Sequence, residues 1–419
     1  MGKFIIKGNK KLNGCVNISS AKNAVLPILV STILVDGVTT ICEAPMLEDV
    51  FVLCEVLKSL SANLIIDEKK RNIIVDTTKL NDNEIDNDLV RKMRASFLVT
   101  GALVARFGKA KISLPGGCKI GSRPIDLHLK GLKALGAIVN EEGGYVEVVA
   151  KKLKGSNIYL DFPSVGATEN LMIAATLAEG VTYIENAAKE PEVVDLANFL
   201  RLMGAKIKGE GSSTIIIDGV SSLKGIKYTP IYDRIEVGTF MIAAAVTKSC
   251  IDIEGVNEEH LMPIISKLEE IGVKILIDGN RMHVNGEGDF KPSDIVTMPH
   301  PGFPTDMQAQ IMALLCTIEG KSSTKETIFE NRYMHVQELR RMGANINVNS
   351  RIATIEGVKC LTGARVTATD LRAGAGLILA GLSAQGETII DDIYHIDRGY
   401  VSIENKLTSL GANIIRVED

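Results

Sequence analysis

Two hydrophobic rhythms alternate along the chain. The first is a helical stripe closed by a turn, of the form Leu-x-x-Φ-Gly-Ala-x-Ile/Val with Φ apolar. It reads LKSLSANL from Leu57, LKALGAIV from Leu132, LRLMGAKI from Leu200, LEEIGVKI from Leu268, LRRMGANI from Leu339 and LTSLGANI from Leu407. Leu and Φ lie three apart on one helix face. The glycine ends the helix, because a left-handed residue after the last turn costs least as Gly. Polar and apolar positions then alternate, as in AKIKGEGSSTIIIDG (205–219) and VKILIDGNRMHVNG (273–286). Each such stretch predicts two strands around a Gly-bearing turn. The second rhythm precedes each stripe: an Ala- and Gly-rich apolar helix, a polar turn and a strand. Examples are NLMIAATLAEGVTYIENA (170–187), FMIAAAVTKSCIDIEGV (240–256) and GLILAGLSAQGETIIDDI (376–393). Small residues all round such a helix predict burial on several sides.

The stripe recurs at intervals of about 70 residues, so the chain is six repeats of one α/β unit. Six are too many for one core, and two domains of three repeats are the natural grouping. The N-terminal strands KFIIKG and GCVNIS have no partner in the first repeat, and the last repeat is short of sheet. Both strands are therefore expected to complete the last repeat. The crossings fall near Ser20–Ala21 and near Thr229–Tyr232, where KYTPIYDR (227–234) breaks the pattern with a proline. The expected domains are 21–231, and 1–20 with 232–419. A repeat scaffold without chemistry is the plain alternative, though repeats of this size exceed the usual solenoid modules.

Composition narrows the class. The chain has 419 residues, 46% hydrophobic, 4% aromatic and without Trp, so its core is aliphatic. The net charge of −4 argues against nucleic acid as the main partner. Seven scattered cysteines, an odd number, form neither a disulfide framework nor a zinc set. The N-terminus shows no signal peptide, and no apolar stretch is long enough for a membrane span. The expectation is a reduced cytoplasmic protein with no metal and no cofactor.

Charged residues in unusual places carry the candidate chemistry. In SSAKNAVLPIL (19–29), serines suited to capping are followed by Lys22 and Asn23 at the start of a buried helix. A cation in the first helical turn opposes the helix dipole, and an anion beside Lys22 would remove the conflict. In SLPGGCKIGSRPIDLH (113–128), Cys118 sits on a Pro-Gly-Gly loop beside Lys119 and near Arg123, a setting for a reactive thiol. His128 reads as a structural hydrogen-bonding residue. In PHPGFPTDMQAQ (299–310), three prolines stiffen the approach to Asp306, a residue that would otherwise read as an N-cap. Asp370 and Arg372 open another buried helix, Arg398 precedes a glycine in YHIDRGY, and Arg94 lies in MRAS. DRIEVGT (233–239) reads instead as a structural network pairing Arg234 with Glu236 and Asp233. Helix N-termini bearing such groups favour anions. No phosphate loop or dinucleotide fingerprint stands in a strand-to-helix setting. A phosphate-rich substrate handled without metal fits best.

These motifs resemble one family along essentially the whole chain. AKNAVLP, MRAS, LPGGCKIGSRPIDLH, SVGAT, NAAKEPEVVD, DRIEVGT, FPTDMQAQ, FENRYMHV, ATDLRAG and YHIDRGY are similar to the enolpyruvyl transferases that act on UDP-N-acetylglucosamine. The resemblance implies a two-domain inside-out α/β barrel of six βαβαββ-type repeats, with the active site in the interdomain cleft. It implies transfer of the enolpyruvyl group of phosphoenolpyruvate to the sugar 3-hydroxyl, with release of phosphate, at the first step of peptidoglycan precursor synthesis. The shikimate 3-phosphate enzymes share fold and chemistry and are the alternative.

Residue by residue, the resemblance gives phosphoenolpyruvate to Lys22, Asn23, Arg123 and Arg398. It gives the UDP-sugar to Arg94, Arg123, Pro124, Ile125, Asp126, Leu127, Ser164, Val165, Gly166, Asp306 and the backbone at Ile328. It makes Cys118 the acid that protonates the enol methylene and can be captured as a covalent adduct. Asp306 becomes the base for the sugar hydroxyl, with Asp370 and Arg372 behind it. Glu190 and Glu192 fall in a matching EPE motif without an assigned role. One departure stands before SVGAT, where Phe162 replaces a lysine that holds the nucleotide in some members.

Overall fold

The computed structural model describes residues 2–80, 97–113 and 125–418. The described residues divide into two compact units, called here the halves. The first half runs from Ser20 to Ile231, and the second joins the residues up to Ser19 to those from Tyr232 onward.

Three helices buried on nearly all sides form the centre of each half. In the first half they are Lys22–Ser31, Val99–Phe107 and Val165–Thr176. In the second they are Arg234–Val246, Gln308–Leu315 and Leu371–Ser383. Their small residues are required by close approach. A Cβ on Gly101 would lie 2.6 Å from the Asn170 carbonyl oxygen of the neighbouring helix, and one on Gly376 would lie 2.8 Å from that of Ala309. Sheets surround the helices with one face inward, as the alternating burial of Thr214–Asp218 and Glu387–Asp391 shows. Helices inside and sheets outside make the expected inside-out arrangement.

The striped segments form amphipathic helices, from Glu48–Ser59 to Ile403–Ser409, each followed by strand in antiparallel pairing. A left-handed glycine ends the helix in five of the six stripes. Gly136, Gly204, Gly272, Gly343 and Gly411 all have φ between 90° and 118°, and Ser61 takes the same left-handed conformation at φ 68°.

A short strand also precedes the buried helix and pairs in parallel with the strand after it. Asn157–Tyr159, Asp294–Val296 and Arg365–Thr367 do this within their own repeats. At the two crossings the strand comes from elsewhere. Lys227–Tyr228 lies beside Val38–Ile41, and Cys15–Asn17 lies beside Cys250–Glu254. Only Lys3–Lys7 completes the last repeat, between Glu387–Asp391 and Asn413–Val417. The expectation that both N-terminal strands join the last repeat is therefore corrected. The chain leaves the second half just before the first buried helix, so Cys15–Asn17 takes the place of the strand that would precede Arg234–Val246. Backbone bonds tie the crossing segments, Ala21 N–H to Ile231 O at 2.7 Å and Asp233 N–H to Ser19 O at 2.9 Å.

Candidate active site

Arg94, Cys118, Arg123 and Pro124 lie outside the described residues. The remaining candidates are each placed by the start of a helix or by a turn beside one.

In the first half, Lys22 opens its helix after an extended Ala21 that makes no side-chain cap. The serines before it do not cap. The Ser19 N–H donates to Glu236 Oε2 at 2.8 Å, and the Ser19 hydroxyl accepts from Lys406 Nζ at 2.8 Å. The countercharge expected for Lys22 is resident in the protein: Lys22 Nζ lies 3.1 Å from Asp49 Oδ2, with side chains 11% and 8% exposed. Asp49 sits in the first turn of Glu48–Ser59, where the helix dipole favours an anion. Asn23 is exposed one residue after Lys22. Pro27, inside the same helix, has no N–H to offer the Asn23 carbonyl four residues before it.

Ser164 caps Val165–Thr176 by accepting from the Ala167 N–H at 3.3 Å, which puts Val165 and Gly166 in its first turn. Ile125 precedes Asp126–Ala134, with Asp126 exposed and Leu127 half-buried in the first turn. His128 on that helix is structural: Asn170 Nδ2 donates to its Nδ1 at 3.0 Å and Phe97 meets its ring edge-on. Burial pushes its pKa down to about 4. Phe162 is 45% exposed, and its neighbour Asp161 pairs with Lys130 at 2.8 Å. Glu190 and Glu192 begin Pro191–Met203. They face the buried Glu169, whose pKa is pushed well above the carboxylate range by burial first and then by these two charges.

In the second half the geometry is tighter. The His300–Pro301 peptide is cis, and Asp306 lies in a single 3-10 turn, Thr305–Met307, leading into Gln308–Leu315. Asp306 does not cap. Its Oδ1 accepts from Arg332 Nη2 at 3.0 Å, and its Oδ2 from Arg372 Nε and Nη2 at 3.1 and 3.0 Å. Two guanidiniums thus fix both carboxylate oxygens. Arg372 is 4% exposed. Its burial works against the charge, and Asp306, Tyr400 and Asp233 more than offset that, so its pKa is raised. Asp370 caps Leu371–Ser383 through the N–H groups of Arg372 and Ala373 at 2.9 and 3.0 Å. Arg398 follows the short helix Tyr394–Asp397 and is half-buried. The Ile328 N–H is taken by Glu326 Oε1 at 2.9 Å, leaving its carbonyl as the group that can face a ligand. Asp233 caps its own helix, and Glu236 is held over long range by Lys406 at 2.7 Å.

Two residues of this geometry escaped the sequence reading. Asp49 is an ordinary first-turn acid in MLEDVF, and Arg332 lies within FENRYMHV without a pattern of its own. Among the described residues no group of three or more His, Cys, Asp or Glu is placed to hold a metal ion, and no helix is long and apolar enough to cross a membrane.

The model of the family described as EPSP synthase (3-phosphoshikimate 1-carboxyvinyltransferase) matches residues 6–407. The chain is 62% identical over 417 residues to UDP-N-acetylglucosamine 1-carboxyvinyltransferase 2 of Clostridium tetani, covering 100% of both chains. It is 61% identical over 418 residues to UDP-N-acetylglucosamine 1-carboxyvinyltransferase 1 of Clostridium acetobutylicum, again covering 100% of both. Among solved structures, the enolpyruvyl transferase NikO from Streptomyces tendae superposes with a TM-score of 0.91 at 25% identity over 99% of both chains. EPSP synthase from Acinetobacter baumannii shares the fold, with a TM-score of 0.79 at 18% identity over 100% of both chains.

Proposed function

The chain belongs to the EPSP synthase family of enolpyruvyl transferases, and from that membership we propose that it moves the enolpyruvyl group of phosphoenolpyruvate to the 3-hydroxyl of UDP-N-acetylglucosamine, releasing phosphate. The observation that carries this reading is full-length identity of 62% to a relative bearing the name of that activity. The product feeds peptidoglycan precursor synthesis.

The chain's residues divide the work as follows. Lys22, Asn23, Arg123 and Arg398 hold phosphoenolpyruvate, whose carboxylate and phosphate suit several cations. On substrate binding, Lys22 exchanges part of its pairing with Asp49 for the incoming anion and stabilises charge that develops during addition. Arg94, the run from Arg123 to Leu127, the capped turn Ser164–Val165–Gly166, Asp306 and the Ile328 carbonyl hold the UDP-sugar. The first-turn N–H groups behind Ser164 face the diphosphate.

Asp306 accepts the proton of the sugar 3-hydroxyl as its oxygen bonds to C2 of phosphoenolpyruvate. The electron pair of the C2–C3 double bond takes a proton at C3 from the Cys118 thiol, giving a tetrahedral phospho-ketal. Loss of a C3 proton to a base then expels phosphate and restores the double bond. Arg332 and Arg372 keep the Asp306 carboxylate in one orientation throughout. Phe162 supplies an apolar surface to the nucleotide in place of a lysine.

The test is phosphate release from phosphoenolpyruvate with the acceptor varied. Release that requires UDP-N-acetylglucosamine supports the reading. Release with shikimate 3-phosphate alone would replace it with the sister activity, and none with either acceptor would leave an anion-binding repeat scaffold.

A further inference from the structure

The second half contains a buried tyrosine that the transfer reaction leaves without a task. Tyr400 ends the YHIDRGY motif, is 2% exposed and ranks among the largest fully buried side chains. Its hydroxyl lies 2.9 Å from Thr239 Oγ1 on Arg234–Val246 and 3.3 Å from Gln310 Nε2 on Gln308–Leu315. Its ring lies under the guanidinium of Arg372 on Leu371–Ser383, 5.5 Å from the centroid. One side chain therefore touches all three central helices of this half.

The direction of each bond follows from counting hydrogens. The Thr239 hydroxyl donates to Ile235 O at 2.8 Å, which uses its only hydrogen. Thr239 Oγ1 must then accept from the Tyr400 hydroxyl. The Tyr400 oxygen is left as acceptor for Gln310 Nε2. The amide nitrogen of Gln310 has a second hydrogen, and it goes to the Asp306 main-chain oxygen at 2.8 Å. Donation thus runs outward from the Gln310 amide, to the Asp306 carbonyl on one side and through Tyr400 and Thr239 to a helix carbonyl on the other. A second route reaches the same aspartate through Arg372, which sits over the Tyr400 ring and grips Asp306 Oδ2 with two nitrogens. The backbone and the carboxylate of Asp306 are both referred to one phenol.

We propose that Tyr400 is a positioning residue for Asp306, acting through Gln310 on its backbone and through Arg372 on its carboxylate. The inference rests on the reading of Asp306 as the group that accepts the sugar proton. A base that must meet a hydroxyl within hydrogen-bond reach loses rate steeply when it is displaced by fractions of an ångström. Tyr400 does not touch substrate, so its loss lowers the rate of the chemical step while binding persists.

The experiment is steady-state phosphate release by purified variants, with the melting temperature of each recorded. Tyr400→Phe keeps the ring under Arg372 and removes the hydroxyl; kcat should fall about tenfold with KM for both substrates within about twofold. Tyr400→Leu removes both links and should lower kcat about 100-fold, so that phenylalanine counts as partial rescue. Thr247→Val removes a hydroxyl bonded at the far end of Arg234–Val246, away from Asp306, and controls for lost stability. Its kcat should stay within about twofold. If Tyr400→Phe does not fold, Gln310→Met, which cuts the backbone route alone, carries the same expectation of a kcat loss without a KM change. Unchanged kcat in Tyr400→Phe, or an equal loss in Thr247→Val, overturns the role while the transferase reading stands. Absence of UDP-sugar-dependent release in the unmodified protein fells the reading and this role together.

Discussion

The two halves share a plan of three buried helices wrapped by small sheets, yet they handle buried charge differently. In the second half the charge is fully committed: Asp306 is gripped by Arg332 and Arg372, and its backbone is tied through Gln310 to Tyr400. In the first half the interior also holds an amide, an imidazole and a carboxyl that, among the described residues, are set apart from any guanidinium pair. Asn170 binds the Gly101 N–H and His128, and burial, with the charges of Glu192 and Glu190, pushes the Glu169 carboxyl up. The cation at the helix start, Lys22, pairs with Asp49. The same scaffold thus holds a doubly clamped carboxylate in one half and a lysine paired with an acid in the other. A proton acceptor gains from immobility, whereas an anion-holding lysine must release its internal partner to take the ligand.

Removing the Asp306 carboxylate is expected to be the largest disturbance. Asp306→Asn should lower kcat by about 10³-fold, the range of a positioned general base, and also lower the melting temperature, because two buried guanidiniums lose their carboxylate. A loss below tenfold in turnover assays would place the base elsewhere. Next in size is the exchangeable pair. Asp49→Ala should destabilise the first half by about 3 kcal/mol, since it strands a nearly buried ammonium. Saturating phosphoenolpyruvate should recover part of this in a thermal melt, and the absence of ligand rescue would mean that Lys22 does not meet the substrate.

The neutral histidines give a smaller effect. His128 and His335, one in each half, are both pushed down to about 4, chiefly by burial. A depressed pKa contributes stability that is present above the unfolded value near 6.5 and lost as pH falls through 4. Asp195 opposes them: burial raises its carboxyl to about 6, so its contribution declines as pH rises through the same window. Denaturant midpoints should fall from pH 6.5 to pH 4 in the unmodified protein, and by less in His128→Gln. The smallest effect concerns the one repeat that lacks its glycine. Ser61→Gly relieves a left-handed serine and should raise stability by about 0.5 to 1 kcal/mol in urea titrations, while Gly204→Ala should lower it by about 1.

The repeat, the buried helices and the hairpins were legible because each has a period and a stop signal: three-residue spacing, a closing glycine, alternation by two. The short parallel strands other than Cys15–Asn17 were not, because two or three residues carry no alternation. Cys15–Asn17, read as a strand in GCVNIS, pairs beyond a crossing with a partner that no local signal shows. The odd charges Lys22, Asp306 and Arg372 were legible as conflicts with helix-end electrostatics or burial. Asp49 created no conflict, since an acid in a first turn is what the dipole favours. The serines at 19 and 20 looked like caps because cap chemistry is local, whereas Glu236 and Lys406, which bind Ser19, lie more than 200 residues away in sequence. Partners brought together by long-range packing leave no local trace.

The residue roles turn on the transfer of an enolpyruvyl group by this chain to UDP-N-acetylglucosamine. The most direct measurement is carbon NMR of a reaction containing phosphoenolpyruvate labelled with carbon-13 at C2 and C3, UDP-N-acetylglucosamine and the purified protein. The labelled carbons should reappear as an enol ether on the sugar 3-oxygen, with one phosphate released per ether formed and no reaction when the UDP-sugar is left out. Labelled carbon that stays in phosphoenolpyruvate, or that is released as pyruvate without joining the sugar, would contradict it.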